Sequence, residues 1–449
     1  SYAIEVTIAD TSGVPIPGAT GAGSLLVGSP ISASVDTAPD VLAPGASTVT
    51  TTLHVERTVG EFGAFDVVGQ VPLANVRGLT LYGTTAYVQA PGVISIVDVS
   101  DPTAPAVLGT LGPGVFPSGA DVATTLWGDR LVVRTSDTNT ARIWIYSLAD
   151  PHAPVLESSG TLPYRFVAAP TIVGDTAYVS AAWYFYNVFS LQIFEQHGDL
   201  FAMDLTAPGG PSLTGALFTE PPAGQPNGGD YNVWQIAAIS DDTIYAGSTT
   251  TTGANTQSGT GRVLIADVSG GEPDLVGELA IPGTVHVVGL VKYAPDRVLV
   301  VGSAAGWRDA LYGLSGGIVL TTLDVTDPRA PQIVPGSQQT LPLGARGLDW
   351  PTPLGGTRFA LTAIGESTEK SAIILLDNAT PGSATFEVFE ISDDPAMPND
   401  VNLATDGDYL YTAGVRDGLV IYSLAPPEDV PVTVRVAVSL SLGASATAV

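Results

Sequence analysis

Cysteine is absent from this 449-residue chain. That excludes disulfide cross-links, thiolate catalysis and cysteine-ligated zinc. Lysine is nearly absent, occurring only as Lys292 and Lys370, and Lys plus Arg number 16 against 44 Asp plus Glu. A formal charge of −28 repels phosphate backbones and anionic lipid, so neither nucleic acid nor a membrane surface is an expected partner. The four histidines, His54, His152, His197 and His286, lie far apart and form no His-x-x-x-His pair. No Gly-x-Ser-x-Gly elbow, His-Glu-x-x-His helix, Walker loop or EF-hand spacing occurs either. No run of about 18 apolar residues spans a bilayer. The apolar stretch 181–194 is shorter than that and is broken by Asn187, Ser190 and Gln192. The chain opens on Ser1 rather than Met, which is read as the trace of a removed signal peptide and hence of secretion.

What is present is turn chemistry and β-formers. The 51 glycines and 35 prolines make 86 of 449 residues, about 19%, below the roughly 25–30% that marks disorder. Val, Ile and Thr abound without helical periodicity, so the chain reads as all-β. One motif recurs: "GVISIVDVSDPTAP" (92–105), "ARIWIYSLADPHAP" (141–154) and "GIVLTTLDVTDPRAP" (317–331), with weaker copies at 199–211, 261–273, 371–381 and 418–427. The equivalent positions are Asp98, Ser147, Asp204, Asp267, Asp324, Asp377 and Ser423, at spacings of 49, 57, 63, 57, 53 and 46. Two strands joined by a tight turn precede each copy, with Gly-Asp, Asp-Asp and Asp-Gly among the turn pairs, and an outer strand of the form Pro-x-h-x-Gly-x-Leu (h, hydrophobic) follows all but the last. Four strands repeated seven times make a seven-bladed β-propeller. The segment "FDVVGQVPL" (65–73) has the outer-strand pattern but precedes the first copy, so it is expected to complete blade seven and close the ring.

"GVISIVDVSDPTAP" and "GLVIYSLA" resemble the LVIVD-repeat β-propellers of secreted and cell-surface prokaryotic proteins, over about residues 62–425. Blades two and seven depart from the pattern, with Ser147 and Ser423 at the Asp position. The resemblance implies the fold and an extracellular or cell-surface setting. It brings no catalytic residues, because the repeat itself is structural.

Outside the propeller, residues 1–60 read as a small β-sandwich-like module and 427–449 as a C-terminal strand, leaving 61–426 as the propeller. In the module Tyr2, Ile4, Val6 and Ile8 alternate on one strand, while 30–36 and 47–59, with Val49, Leu53 and Val55, supply others. Three or four strands in about 60 residues bury little surface, so the module is expected to lack a strand. The C-terminal run has Val430, Val432, Val434, Val436, Val438, Leu440 and Leu442 at every second position, with Arg435 its only charge. Either it folds back onto its own module or it completes the module of the next copy. Strand donation between copies is the expectation, giving a filament or surface array with residues 2–8 and 47–56 as the receiving sheet.

Two other sets of residues are candidates. Trp183, Tyr184, Tyr186, Phe189 and Phe194 in the 181–199 insertion, with Trp307 in 303–317, would stack on a cell-surface glycan, pack against a neighbouring copy or cover the propeller's own face. Arg77, Asp121, Arg165, His286, Arg346, Asp349 and Asp400 fall near the starts of inner strands and would line a channel mouth, as a polar site or as mutual ion pairs. The acidic turns 392–400 and 405–408 leave calcium open, and Asn378-Ala379-Thr380 is a glycosylation-type sequon. The expected function is therefore non-enzymatic and cofactor-free, with the protein's own copies as partner. A monomeric secreted binding module that grips a glycan or protein is the alternative, and a channel-mouth hydrolase or lyase a third.

Overall fold

Short apolar runs punctuated by Gly, Asp and Pro favour paired strands over helices. A computed structural model describes residues 2–9, 15–25, 31–38, 50–57, 65–136, 141–162, 169–187, 192–217, 231–250, 260–304, 317–344, 351–364, 371–392, 401–414, 417–424 and 433–436. The regular elements among them are all β-strands. No helix of the described residues is long and apolar enough to cross a membrane. The chain divides into two compact units, Ser1–Phe65 with Leu424–Val449, and Asp66–Ser423.

In the first unit β1 (Tyr2–Ala9) pairs antiparallel with β2 (Pro15–Leu25), while β3 (Ile31–Ala38) pairs with β4 (Thr50–Arg57). Pro15 begins β2, a position where a missing N–H costs no ladder bond.

The second unit opens with β5 (Val67–Val71) and continues through seven sheets. Blade one is β6 (Gly78–Tyr82), β7 (Thr85–Ala90), β8 (Val93–Asp98) and β9 (Ala106–Leu111). Blade two is β10 (Asp121–Trp127), β11 (Arg130–Ser136), β12 (Ala141–Ser147) and β13 (Val155–Leu162). Blade three is β14 (Thr171–Val173), β15 (Thr176–Asn187), β16 (Gln192–Asp204) and β17 (Ser212–Ala216). Blade four is β18 (Tyr231–Ser240), β19 (Thr243–Thr250), β20 (Thr260–Asp267) and β21 (Asp274–Ala280). Blade five is β22 (His286–Ala294), β23 (Arg297–Ser303), β24 (Gly317–Asp324), β25 (Gln332–Ile333) and β26 (Gln339–Gly344). Blade six is β27 (Thr352–Gly355), β28 (Arg358–Ile364), β29 (Ser371–Asp377) and β30 (Thr385–Ser392). Blade seven is β31 (Val401–Thr405), β32 (Tyr409–Gly414) and β33 (Gly418–Ser423), with β5 as its outer strand. The ring therefore closes as the outer-strand pattern of 65–73 implies, and each first strand packs on the next around a complete circuit. After this, β34 (Thr433–Val436) pairs antiparallel with β4.

Hydrophobic burial holds blade to blade. One apolar cluster joins Val132, Ile143 and Ile145 of blade two to Val179, Phe201 and Met203 of blade three, and another joins Leu79 and Val88 of blade one to Tyr411 and Ile421 of blade seven. Each fully buried aliphatic side chain contributes roughly 1.5–3 kcal/mol. Polar ties follow the same direction. Tyr87, Tyr178 and Tyr245 are buried on second strands, and each hydroxyl donates to a turn carbonyl of the next blade: Pro151 O (2.8 Å), Gly271 O (3.0 Å) and Pro328 O (2.7 Å).

The repeated Asp acts locally. The backbone N–H two residues on donates to Asp98, Asp204, Asp267, Asp324 and Asp377 at 2.7–2.9 Å, and more distantly to Ser147 Oγ at 3.3 Å. Such turns arise because a short acceptor reaches its own backbone, and Asp does so better than Ser. Two outer-strand glycines have a steric reason of their own: a Cβ at Gly69 would collide with Pro102 O in the blade-one turn, and one at Gly160 with Pro211 O in the blade-three turn. Blade five breaks the outer-strand rule, being split at Val334–Gln338. Pro335 has no N–H, and Ser337 Oγ supplies the missing ladder contacts by accepting from Thr322 N and donating to Thr322 O.

Candidate functional site

The terminal strand is the first candidate. Alternation carries Val434 and Val436 into β34, in unshifted register: Thr433↔His54, Val434↔Leu53, Arg435↔Thr52 and Val436↔Thr51. On the other edge of β4 the register runs from Ile31↔Arg57 to Ala38↔Thr50. The sheet order is β3-β4-β34, so the strand adjoining β34 contains Leu53 and Val55. Among the described residues 2–8 and 50–56 do not share a sheet: Tyr2, Ile4, Val6 and Ile8 lie in β1, which sits in a separate two-stranded sheet with β2. The physical reason is proximity, because five residues separate β1 from β2 and a short loop closes at little entropic cost. Val49, Val430, Val432, Val438, Leu440 and Leu442 lie outside the described residues.

The channel mouth is the second. Arg77, Asp121 and His286 sit at the starts of β6, β10 and β22, hence at one end of the propeller, whereas Arg165, Arg346, Asp349 and Asp400 lie outside the described residues. Arg77 is exposed, and its backbone N–H donates to Gln89 O. Asp121 Oδ2 accepts from Arg134 Nη2 at 2.7 Å; the Arg134 side chain is 3% exposed and that of Asp121 46%. Asp121 is therefore ion-paired, but with Arg134, which is not one of the channel-mouth candidates. Sequence reasoning missed Arg134, although an arginine inside the apolar run "RLVVRTS" signals a buried charge needing a partner. It also missed a buried relay between blades one and two, in which Gln89 Nε2 donates to Thr124 Oγ1 (2.6 Å) and Thr124 Oγ1 lies 2.7 Å from Thr80 Oγ1. His286 is buried, and loss of hydration pushes its imidazole down to about 4, so it is neutral at physiological pH.

The aromatic insertion is a long hairpin. Trp183, Tyr184 and Tyr186 lie on β15, paired with His197, Gln196 and Ile193 of β16, which also carries Phe194. Phe189 and Trp307 lie outside the described residues. Of the acidic turns, 405–408 is described: Asp406 accepts from the backbone of Asp408 and Tyr409 and, at 2.7 Å, from the Tyr411 hydroxyl, so its carboxylate is spent on the turn. Among the described residues no group of three or more His, Asp or Glu side chains is placed to hold a metal. Asn378 is 2% exposed and its amide donates to Thr322 Oγ1 of blade five at 3.0 Å, which makes it a cross-blade tie and occludes the sequon.

Comparison with known proteins agrees with this architecture. Residues 75–111 match the LVIVD repeat. No curated protein sequence matches the chain. A hypothetical selenium-binding protein from Sulfolobus tokodaii is similar in structure at 12% identity and a TM-score of 0.50, over 77% of this chain and 85% of that one. The Dos1 propeller aligns at 12% identity and a TM-score of 0.46, over 83% and 85%. BamB from Moraxella catarrhalis aligns at 13% and 0.40, over 88% and 98%. At 12% identity the likeness to the Sulfolobus tokodaii protein concerns the fold alone.

Proposed function

For this seven-bladed β-propeller bearing an LVIVD repeat, we propose a non-catalytic structural role outside the cell, in which copies join by exchange of the C-terminal strand. The observation that carries this reading is the pairing of β34 with β4, in which a sheet near the N-terminus is completed from the far end of the chain. An element held by backbone hydrogen bonds can be supplied by a second copy with the same bonds, which makes exchange a low-cost route to assembly. The terminal run also favours being covered, since 13 residues of alternating apolar sequence with Arg435 as their one charge are an aggregation hazard when exposed. Removing 430–449 tests the proposal: electron microscopy should show polymers of the full chain and none of the shortened one, with the propeller's cooperative melting retained. Normal polymers from the shortened chain would sink it.

A second reading has its own observation. The β15–β16 hairpin extends well past the other strand pairs of blade three and carries Trp183, Tyr184 and Tyr186. A monomeric protein that bound a glycan or protein through this hairpin would stay monomeric at high concentration and lose binding when the three aromatics are replaced by alanine.

A further inference from the structure

The ring of blades is closed at one seam. In blades one to six the outer strand follows the third strand directly in the chain, but in blade seven β33 and β5 come from opposite ends of the propeller. The hold at this seam is thin. Of the five residues of β5, Val71 alone is fully buried, while Val67 is 57% exposed. Gln70 Nε2 adds a bond to Asp417 O at 3.1 Å. A short strand that buries so little apolar surface opens at low free-energy cost. Both chain exits lie at the same seam. Ser423 N donates to Asp66 O at 2.9 Å, just beyond the Tyr422↔Val67 pair, so the chain enters and leaves the propeller from facing residues. Eight residues (58–65) separate Asp66 from the end of β4, and nine (424–432) separate Ser423 from the start of β34. Thr433 faces His54 near the end of β4, so both links attach at the same end of the β4–β34 ladder.

From this topology we infer that the β4–β34 pairing is a clasp on the propeller ring: it joins the two sides of the blade-seven seam a second time, holds β5 in place and sets how often the ring opens. Two short links confine a detached β5 near β33 and favour its return, because closing a short connection costs little entropy and keeps the effective concentration of the partner strand high. The terminal strand thereby acts on a part of the molecule that it does not belong to. The clasp is a property of a single copy and does not rest on exchange between copies.

Hydrogen exchange of the full-length chain, at concentrations where light scattering finds single copies, tests this. Val434→Pro disrupts β34, and should speed exchange of the 66–71 and 418–423 amides at least about fivefold while leaving those of β20 in blade four unchanged. The opposite perturbation is Leu53→Cys with Val434→Cys in one chain. Directly opposed antiparallel residues approach within disulfide range, and the chain has no cysteine of its own to interfere. Oxidation should slow the same amides at least about fivefold against the reduced form of the same protein. Thr51→Cys with Val436→Cys repeats the test if the first pair fails to fold. An intrachain disulfide that leaves exchange at 66–71 unmoved, or a change of equal size in β20, overturns the clasp and leaves strand exchange standing. Oxidation that joins only separate copies overturns the clasp as well, and favours strand exchange.

Discussion

The two ends of the propeller obey different rules. In an antiparallel meander the first-to-second and third-to-fourth turns share one end, while second-to-third loops and blade-to-blade connections share the other. At the turn end the blades are near copies. Asp98, Asp204, Asp267 and Asp324 each hold a turn, and hydrogen bonds from the residue two positions on keep each carboxyl below the usual carboxylate range. At the loop end each blade is particular: blade two buries Arg134 against Asp121, blade five buries His286, and blade three extends its hairpin. Short-range chemistry repeats where the chain must turn in the same way seven times. It diverges where connections are free to lengthen.

The largest test of the contrast is at the turn end, where blades touch. Gly69→Ala should destabilise the propeller by at least about 3 kcal/mol, because the new methyl meets the Pro102 carbonyl and opens the closing blade. Gly109 occupies the same motif position in blade one with nothing within 4 Å of a Cβ. Gly109→Ala should therefore cost under about 1 kcal/mol by denaturant unfolding, and equal losses in the two variants would break the account.

Next comes acid. The imidazole of His286 is held down at about 4 from an ordinary 6.5, so between these values the unfolded chain binds the extra proton. Stability is then complete above pH 6.5 and falls as the pH drops towards 4, by roughly 3 kcal/mol in all. The turn-end carboxyls lie below their ordinary 3.8, so their contribution is lost only at lower pH still. A His286→Gln variant should flatten the melting temperature between pH 6.5 and 4 and leave the loss below pH 4 in place. An unchanged upper limb would remove His286 as the cause.

The smallest effect restores the repeat. Arg130 stands opposite Ser147 and pairs with Asp129 and Glu157, whereas Arg297 and Arg358, at the same place in other blades, reach the turn aspartates Asp324 and Asp377. Ser147→Asp should therefore shorten the turn bond and gain about 0.5–1 kcal/mol by chemical denaturation. A loss of stability would show that blade two has repacked around serine.

Much of this could be read in advance, for identifiable reasons. Blade number, ring closure by 65–73 and the turn role of Asp98 and its equivalents depend on contacts within a few residues or on a pattern repeated seven times. Other features depend on partners distant in the chain. That Asn378 is a cross-blade tie requires knowing that Thr322 faces it, and that Asp121 is neutralised requires Arg134. The split outer strand of blade five was signalled by Pro335-Gly336, yet the compensation by Ser337 was not.

Sequence by itself determined the all-β class, the four-strand period and the strand that closes the ring, because alternation and turn chemistry act locally and repetition makes them unmistakable. Tertiary structure alone decided that β1 pairs with β2 instead of joining the sheet of β4 and β34, and which outer-strand glycine is indispensable. Those outcomes rest on which backbones meet across long stretches of chain. Neither alternation nor composition carries that information.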